Sequence, residues 1–228
     1  MRFHLITLFP EACEAYLSAS IIGRARKEKR VSVAYQNPRD FVDNKWGKVD
    51  ERPYGGGPGM VVQALPVVKA CEKALKRGFR KPPYGCLRNP RLKKAIIVWF
   101  SPGGKPFTNK SADSLAKYDE VVLVCGRYEG IDERAKKMLK TLAPVKEFAV
   151  GEAVYTGGEI PALAVVDAVT RRLPGVLGKD ESVEERRVAS RAVYTRPEII
   201  SYKGKSYKVP AVLKTGHHKK IDEWRTKK

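Results

Sequence analysis

Residues 120–130 read EVVLVCGRYEG, an apolar run followed at once by a glycine-rich turn. The β-branched run predicts a buried strand, and glycine after a strand supplies the backbone freedom that a tight turn needs. The same pattern recurs twice: a predicted strand at 95–100 precedes SPGG at 101–104, and one at 146–150 precedes GEAVYTGG at 151–158. We name these glycine segments turn 1 (101–104), turn 2 (126–130) and turn 3 (151–158).

Short β-branched runs alternate with helical stretches along the chain, which predicts an α/β fold with a mainly parallel sheet. Two further strands are predicted at 3–8 and 31–35, and helices at 11–29, 66–77, 109–118, 132–142 and 160–173. Residues 80–91 contain three prolines and predict an exposed loop.

A change in composition follows this alternating region. Residues 179–192 are charged and lack apolar periodicity, which predicts a linker between domains. We therefore expect an α/β domain over residues 1–178 and a small, basic, helical appendage over residues 193–228, with an amphipathic piece near 219–224.

The charge balance indicates a polyanionic partner. The 228 residues include 45 Lys and Arg against 25 Asp and Glu, a formal net charge of +20. Such a surplus attracts phosphates and gives a salt-dependent affinity for nucleic acid. Nucleic acid is the expected partner, and a generally basic surface is the alternative explanation.

The cysteine spacing and the N-terminal residues indicate the cellular compartment of the protein. Cys13, Cys71, Cys86 and Cys125 form no Cys-x-x-Cys pair, so we assign no metal ligands. Cysteines in apolar runs read as buried thiols and suit a reducing cytoplasm. The apolar run at residues 3–9 is too short for a signal peptide or a membrane span. We expect a cytoplasmic protein without membrane contact.

The three turns are expected to form one pocket, because ligands collect at the C-terminal ends of parallel strands. Neither a Gly-x-Gly-x-x-Gly after the first strand nor a phosphate-binding P-loop occurs. Exposed backbone groups suit an adenine edge and a ribose better than a triphosphate, which favours a nucleoside-type cofactor. A fourth glycine cluster at 52–60 has no flanking strand pattern and reads as a flexible surface loop or as a loop that closes over a ligand.

Five motifs follow one another in the order of a known family: PYGGGPGM (53–60), VCGRYEGIDER (124–134), GGE (157–159), LPGVLG (173–178) and YTRP (194–197). On these motifs the chain resembles the bacterial tRNA (guanine N1) methyltransferases of the TrmD family, in the knotted SPOUT class. The resemblance implies a trefoil knot, S-adenosylmethionine (AdoMet) as methyl donor, and methylation of N1 of the tRNA guanine just 3′ of the anticodon. It also implies a homodimer whose active sites lie between subunits.

The resemblance assigns roles to individual residues. Arg171 matches the family arginine that steadies charge on guanine O6, although Asp167 four residues earlier also allows an ordinary surface ion pair. Glu129 matches the glutamate near the target guanine, with a solvated turn carboxylate as the alternative. AdoMet would be held in the three turns by Phe100, Ser101, Pro102, Gly126, Val150, Gly151, Tyr155, Gly157 and Gly158.

The general base is the point at which this chain departs from the family. Methylation at N1 requires a base to remove the N1 proton. The family places Asp-Ser-Phe in the linker, whereas this chain reads Glu181-Ser182-Val183-Glu184-Glu185. We take Glu185, or Glu184 in the next register, as the candidate base, with a solvated linker as the alternative. The family reaction also points to Mg²⁺, for which the sequence shows no dedicated ligand set.

Two other functions stay open. A related knotted methyltransferase acting on a ribose 2′-hydroxyl or on ribosomal RNA would share the fold, but it needs no carboxylate and cation pair shaped for guanine. A non-catalytic RNA-binding homologue would explain the missing linker aspartate. Binding of AdoMet separates the second alternative from an enzyme.

Overall fold

The computed structural model describes residues 1–78, 94–177 and 192–226. They belong to two compact units, Met1–Val176 and Leu177–Lys228. The predicted loop at 80–91 and nearly all of the predicted linker at 179–192 lie outside the described residues, and Glu184 and Glu185 lie outside with them.

The first unit alternates strands with helices. Its strands are β1 (Arg2–Ile6), β2 (Ser32–Gln36), β3 (Asp50–Glu51), β4 (Val61–Val62), β5 (Ala95–Pro106), β6 (Glu120–Val124) and β7 (Val145–Ala149). Its helices are α1 (Pro10–Leu17), α2 (Ser20–Lys27), α3 (Ala64–Gly78), α4 (Asn109–Leu115), α5 (Arg134–Leu139) and α6 (Glu159–Thr170).

Five of these strands form one parallel sheet in the order β2-β1-β6-β5-β7. This sheet confirms the predicted parallel α/β architecture. Alternate residues of a strand face opposite sides of a sheet, so β6 places Val121 and Leu123 in one buried cluster and Val122 and Val124 in the other. Helices α1, α2, α4 and α6 contribute to the first cluster, and α3 and α5 contribute to the second.

Two elements differ from their predicted form. The helix expected at 11–29 is broken into α1 and α2, because the chain turns sharply between them and the backbone of Gly23 packs against Ser18. An alanine Cβ at position 23 would lie 2.0 Å from the Ser18 carbonyl oxygen. The strand expected to end at Phe100 resumes after turn 1 and ends at Pro106, since Phe148 of β7 pairs with both Phe100 and Lys105.

The glycine cluster at 52–60 does have flanking strands, contrary to the expectation from the sequence. β3 and β4 pair antiparallel on either side of it, with Asp50 opposite Val62 and Glu51 opposite Val61. Strands of two residues carry no measurable alternation, which is why the sequence did not indicate them.

The second unit contains a hairpin as well as a helix. Strands β8 (Ile199–Tyr202) and β9 (Lys205–Lys208) pair antiparallel, and helix α7 (His218–Thr226) covers the predicted amphipathic piece. Lys203 and Gly204 between the strands both have positive φ, as a two-residue hairpin turn requires. The sequence predicts only a helical appendage here, because IISY and KSYK have weak strand patterns. Within the described ranges, no helix combines the length and apolarity needed to cross a bilayer.

Candidate cofactor cavity and active site

The three turns surround one cavity of about 650 Å³ in the first unit. This volume is typical of small-molecule sites. The cavity wall includes all nine residues that the resemblance assigns to AdoMet: Phe100, Ser101, Pro102, Gly126, Val150, Gly151, Tyr155, Gly157 and Gly158. The structure thus brings these residues together, and their contact with AdoMet stays a prediction.

Turn 1 is a bulge in β5. Residues 101–104 leave the ladder between the pairs Phe100–Phe148 and Lys105–Phe148, and the Gly103 N–H donates to Ser101 Oγ at 3.2 Å. The backbone of Gly104 returns so close to β7 that an alanine Cβ there would lie 2.6 Å from the Phe148 carbonyl carbon. Glycine at 104 is therefore required for the bulge to close against the cavity.

Turns 2 and 3 are joined by their backbones. The Gly158 N–H donates to the Gly126 carbonyl at 2.8 Å, and Arg127 forms an antiparallel bridge with Gly157. An alanine Cβ at 158 would lie 2.6 Å from Cys125 Cα. The wall of the cavity between these turns is therefore mostly main chain.

Turn 3 also brings an aromatic side chain to the cavity. Tyr155 is 39% exposed, and a Cβ at Gly151 would lie 3.3 Å from the Tyr155 hydroxyl. Phe148 of β7, the strand that leads into turn 3, also lines the cavity and packs edge-to-face on Phe107, with ring centroids 5.5 Å apart. Aromatic and main-chain groups thus share this cavity, a combination that suits a planar base attached to a sugar.

Glu129 lies where turn 2 meets the glycine cluster. Its N–H donates to the Met60 carbonyl at 3.0 Å, and a Cβ at Gly59 would lie 2.5 Å from its Oε1. On the same side the Val62 N–H donates to the Gly130 carbonyl, and the Asp132 N–H donates to the Val62 carbonyl, each at 2.9 Å. The glycine cluster is therefore anchored at the cavity beside Glu129, a link that sequence spacing does not show.

A buried ion pair behind the cavity wall was not found from the sequence. Glu159, the first residue of α6, is 3% exposed, and its Oε2 lies 2.9 Å from Arg127 Nε. Its Oε1 accepts from the Thr7 hydroxyl at 2.7 Å. The Arg127 guanidinium lies 4.6 Å from the centroid of the Phe9 ring. The sequence does contain a feature that points to Glu159, because this residue directly follows the Gly157-Gly158 pair and begins a helix.

Arg171 does not lie in this cavity. It follows the last residue of α6, whereas Gly158 and Pro161 at the other end of that helix line the cavity. Twelve helical residues span about 18 Å at 1.5 Å each. The alternative ion pair with Asp167 is absent among the described residues, and the Asp167 carboxylate accepts instead from the Tyr16 hydroxyl at 2.7 Å.

Neither the base nor a metal is placed by the described residues. Glu184 and Glu185 lie outside them, and those that are described include no group of three His, Cys, Asp or Glu that could hold a metal ion. Glu129 and Glu152 are the carboxylates within the described cavity wall. Mg²⁺ often binds to proteins through one or two carboxylates and keeps several of its waters. These two carboxylates are therefore ligands of a type that Mg²⁺ accepts, but they do not make up a metal site by themselves.

The described cysteines are buried, and their burial sets their chemistry. Desolvation raises the pKa of the Cys13 thiol to about 11, with Glu159 adding to the effect. Desolvation also raises the pKa of Cys71 and of Cys125 well above the usual value. These thiols are protonated near neutral pH and do not serve as nucleophiles.

The whole chain matches one known protein family. The family model "tRNA (Guanine-1)-methyltransferase TrmD" matches residues 1–228. A tRNA (guanine-N(1)-)-methyltransferase of Dechloromonas aromatica is 43% identical, covering 100% of this chain and 85% of the relative. Enzymes of the same name from Moorella thermoacetica and Clostridioides difficile are 41% and 38% identical, each over 99% of this chain and over 84% and 90% of the relative. The knot that the resemblance implies stays a prediction. A match of this extent shows that the chain belongs to the tRNA (guanine-1)-methyltransferase TrmD family.

Proposed function

We propose that the protein transfers the methyl group of AdoMet to N1 of guanine 37 of tRNA, next to the anticodon. The observation that carries the proposal is the cavity, in which three glycine turns meet at the ends of parallel strands, in a chain that belongs to this enzyme family. The excess of Lys and Arg supports a tRNA substrate, because it favours binding to phosphates.

The main chain of the three turns would hold the cofactor. Backbone N–H and C=O groups of turns 2 and 3 can pair with the adenine edge and the ribose hydroxyls, while Tyr155 and Phe148 offer ring surface. AdoMet supplies a methyl group already activated on a sulfonium sulfur. The task of the chain is therefore to align that methyl group with guanine N1 and to exclude water.

The guanine needs a carboxylate and a cation. Glu129 lies beside the cavity and can accept hydrogen bonds from the guanine amino group, which fixes the base in the site. Removal of the N1 proton moves negative charge onto O6, and a guanidinium donates to such an oxygen. We assign that cation to Arg171 and the removal of the proton to Glu185 or Glu184.

The position of Arg171 supports an active site between two subunits. It lies at the far end of α6, about 18 Å along the helix axis from the cavity of its own chain. Helices α1 and α2 both pack on α6, and each of the three helices carries a large exposed apolar side chain: Tyr16, Ile21 and Ile160 are 49%, 37% and 55% exposed. Exposed apolar groups of this kind suit a subunit interface, so a homodimer would bring Arg171 of one subunit to the cavity of the other.

The C-terminal unit is proposed to bind tRNA. Residues 192–226 contain eight Lys and Arg against three Asp and Glu. The register of the hairpin places Ile200, Tyr202, Lys205 and Tyr207 on one face, and the two tyrosines are 61% and 56% exposed. Aromatic rings beside lysines suit stacking on bases next to phosphates.

Transfer of the methyl group is the direct test. The protein is incubated with labelled AdoMet and with two tRNA transcripts that differ only in guanine or adenine at position 37. We expect label only in the guanine transcript, with N1-methylguanosine recovered after digestion. Label in 2′-O-methyl nucleosides would indicate a ribose methyltransferase, and AdoMet binding without label transfer would indicate a non-catalytic homologue.

Two inactive variants test the shared site. Glu129→Ala removes a group of the chain's own cavity, and Arg171→Ala removes the group expected from the partner. When the two variants are unfolded and refolded as a mixture, half of the dimers contain one chain of each variant. Each of these dimers has one intact site out of two, so the mixture should recover about one quarter of wild-type activity. No recovery would place both residues in the same subunit's site.

The base, the metal and the cellular location are tested separately. Glu185→Gln and Glu184→Gln are compared in single-turnover methylation, and full activity in both would remove the linker from the chemistry. Mg²⁺ dependence is tested by chelation followed by stepwise Mg²⁺ addition, with loss and recovery of turnover expected. A cytoplasmic location is part of the proposal because tRNA is modified there, and fractionation of cells tests it.

A further inference from the structure

We propose that Glu159 is a positioning residue for the cofactor cavity. Through Arg127 and Thr7 it would hold turns 2 and 3 at the separation that the cofactor requires. The inference deepens the proposed function and rests on it in one respect, the identity of the cofactor as AdoMet.

The contacts around Glu159 form a closed circuit of four residues. Thr7 Oγ1 accepts from the Phe9 N–H at 3.0 Å and donates to Glu159 Oε1 at 2.7 Å. Glu159 Oε2 lies 2.9 Å from Arg127 Nε, and the Arg127 guanidinium lies over the Phe9 ring, which closes the circuit. The circuit therefore ties the end of β1, turn 2 and the first residue of α6 to one another.

The circuit is in close contact with the cavity wall at Gly157. A Cβ at Gly157 would lie 2.5 Å from Arg127 Nε and 2.7 Å from Glu159 Oε2, so the ion pair fills the space beside that backbone. Arg127 itself lines the cavity, and its side chain is 24% exposed. Any movement of the guanidinium would shift the wall between turns 2 and 3.

A contribution to fold stability does not by itself explain why an ion pair between Glu159 and Arg127 lies behind the cavity wall. A buried ion pair loses hydration that its attraction often does not restore, and apolar side chains of similar size frequently give an equally stable protein. Glu159 lies at the N-terminal end of α6, where the helix dipole interacts favourably with a negative charge. The ion pair instead fixes positions, because a carboxylate that contacts both Thr7 and Arg127 holds these two side chains in place relative to α6.

Removing the charge while keeping the shape isolates this role. In Glu159→Gln the amide cannot attract Arg127 as the carboxylate does, so the guanidinium is released toward the cavity. Thr7→Val removes the second anchor at a residue outside the cavity wall, and Thr7→Ser restores the hydroxyl. A displacement on the order of 1 Å in a positioned site costs up to about a hundredfold in function.

The matched control is Glu14→Gln on α1. Glu14 also pairs with an arginine at 2.9 Å, from Arg26 Nη1, and accepts from the Tyr35 hydroxyl at 2.6 Å. It is not among the residues that line the described cavity. The same chemical change there tests the effect of losing an ion pair without disturbing the circuit.

The experiment measures AdoMet dissociation constants by calorimetry well below each variant's melting temperature, with amide hydrogen exchange of turns 2 and 3 in the absence of ligand. We expect AdoMet affinity to fall about tenfold or more in Glu159→Gln and Thr7→Val, with wild-type affinity in Thr7→Ser and Glu14→Gln. Exchange at 126–130 and 151–158 should rise only in the first two variants.

Each result bears on one proposal. If wild-type protein binds no AdoMet, the proposed function fails, and the exchange data still decide whether Glu159 positions the turns. If Glu159→Gln and Thr7→Val melt lower but bind AdoMet within about twofold of wild type and exchange normally, the circuit only stabilises the fold and the inference is wrong.

Discussion

Gly158→Ala tests how closely turns 2 and 3 must approach. Gly158 has φ −78° and ψ −4°, a conformation open to alanine, so the substitution brings no backbone strain. Its added Cβ would instead lie 2.6 Å from Cys125 Cα and 2.9 Å from the Gly126 nitrogen. Carbon atoms in contact prefer about 3.5–4.0 Å, so the start of α6 must move away from the end of β6 by about 1 Å.

The expected cost follows from that displacement. Overpacking a core typically costs about 1–3 kcal/mol, which lowers the melting temperature of a domain of this size by about 2–12 °C. The same displacement separates the backbone groups that line the cavity, so AdoMet affinity should fall about tenfold or more.

Differential scanning calorimetry and AdoMet titration measure the two effects. The control is Gly103→Ala in turn 1, where the nearest atom to the added Cβ is Ser101 Oγ at 3.8 Å, an ordinary contact. We expect Gly103→Ala to resemble wild type. Gly158→Ala with wild-type melting and wild-type AdoMet affinity would refute the close approach of these turns.

Three further predictions concern other parts of the molecule. Glu129→Gln should lower the single-turnover rate of methylation roughly tenfold to a hundredfold, as loss of a charge-assisted hydrogen bond to the guanine, with AdoMet affinity retained; an unchanged rate would remove Glu129 from the site. Because burial raises the pKa of Cys13 and Cys71 above the unfolded value of 9.0, the contribution of these thiols to the unfolding free energy should be constant from about pH 7 to pH 9 and fall above pH 9 by up to about 1.4 kcal/mol per pH unit for each thiol. Urea unfolding across that range measures this, and a flat profile would contradict it. Replacing both Tyr202 and Tyr207 by alanine should weaken tRNA binding by about 1–3 kcal/mol per stacked base, and equal affinity in filter binding would assign tRNA contact to other residues.

The sheet was predictable because its strands are unusually clear in the sequence. β6 is buried along its whole length, and after Glu120 it reads as an unbroken apolar run rich in valine, as is typical of a central parallel strand. The five predicted strands of the sheet all appear, with ends displaced by one or two residues apart from β5. The extension of β5 escaped prediction because Phe148 pairs on both sides of the bulge, which is a property of the neighbouring strand.

The C-terminal hairpin and the break between α1 and α2 were not predictable for a related reason. IISY and KSYK alternate poorly, and only the pairing of the two strands makes them a hairpin. The helical pattern at 11–29 is continuous, whereas the contact of Gly23 with Ser18 depends on the path of the backbone. Local patterns report propensity, and tertiary contacts override them.

The sequence by itself determined the fold class, the family and the glycine turns that line the cavity, because strand runs, turn residues and ordered motifs are local properties. Only the tertiary structure showed that the glycine cluster meets Glu129, that Glu159 joins Arg127 to Thr7, and that Arg171 lies far from the cavity of its own chain. Thr7 and Glu159 are 152 residues apart, and no spacing rule predicts their contact. Their proximity follows from the sheet order, which places β1 beside β6 and so brings the first strand to the turn that opens the cavity.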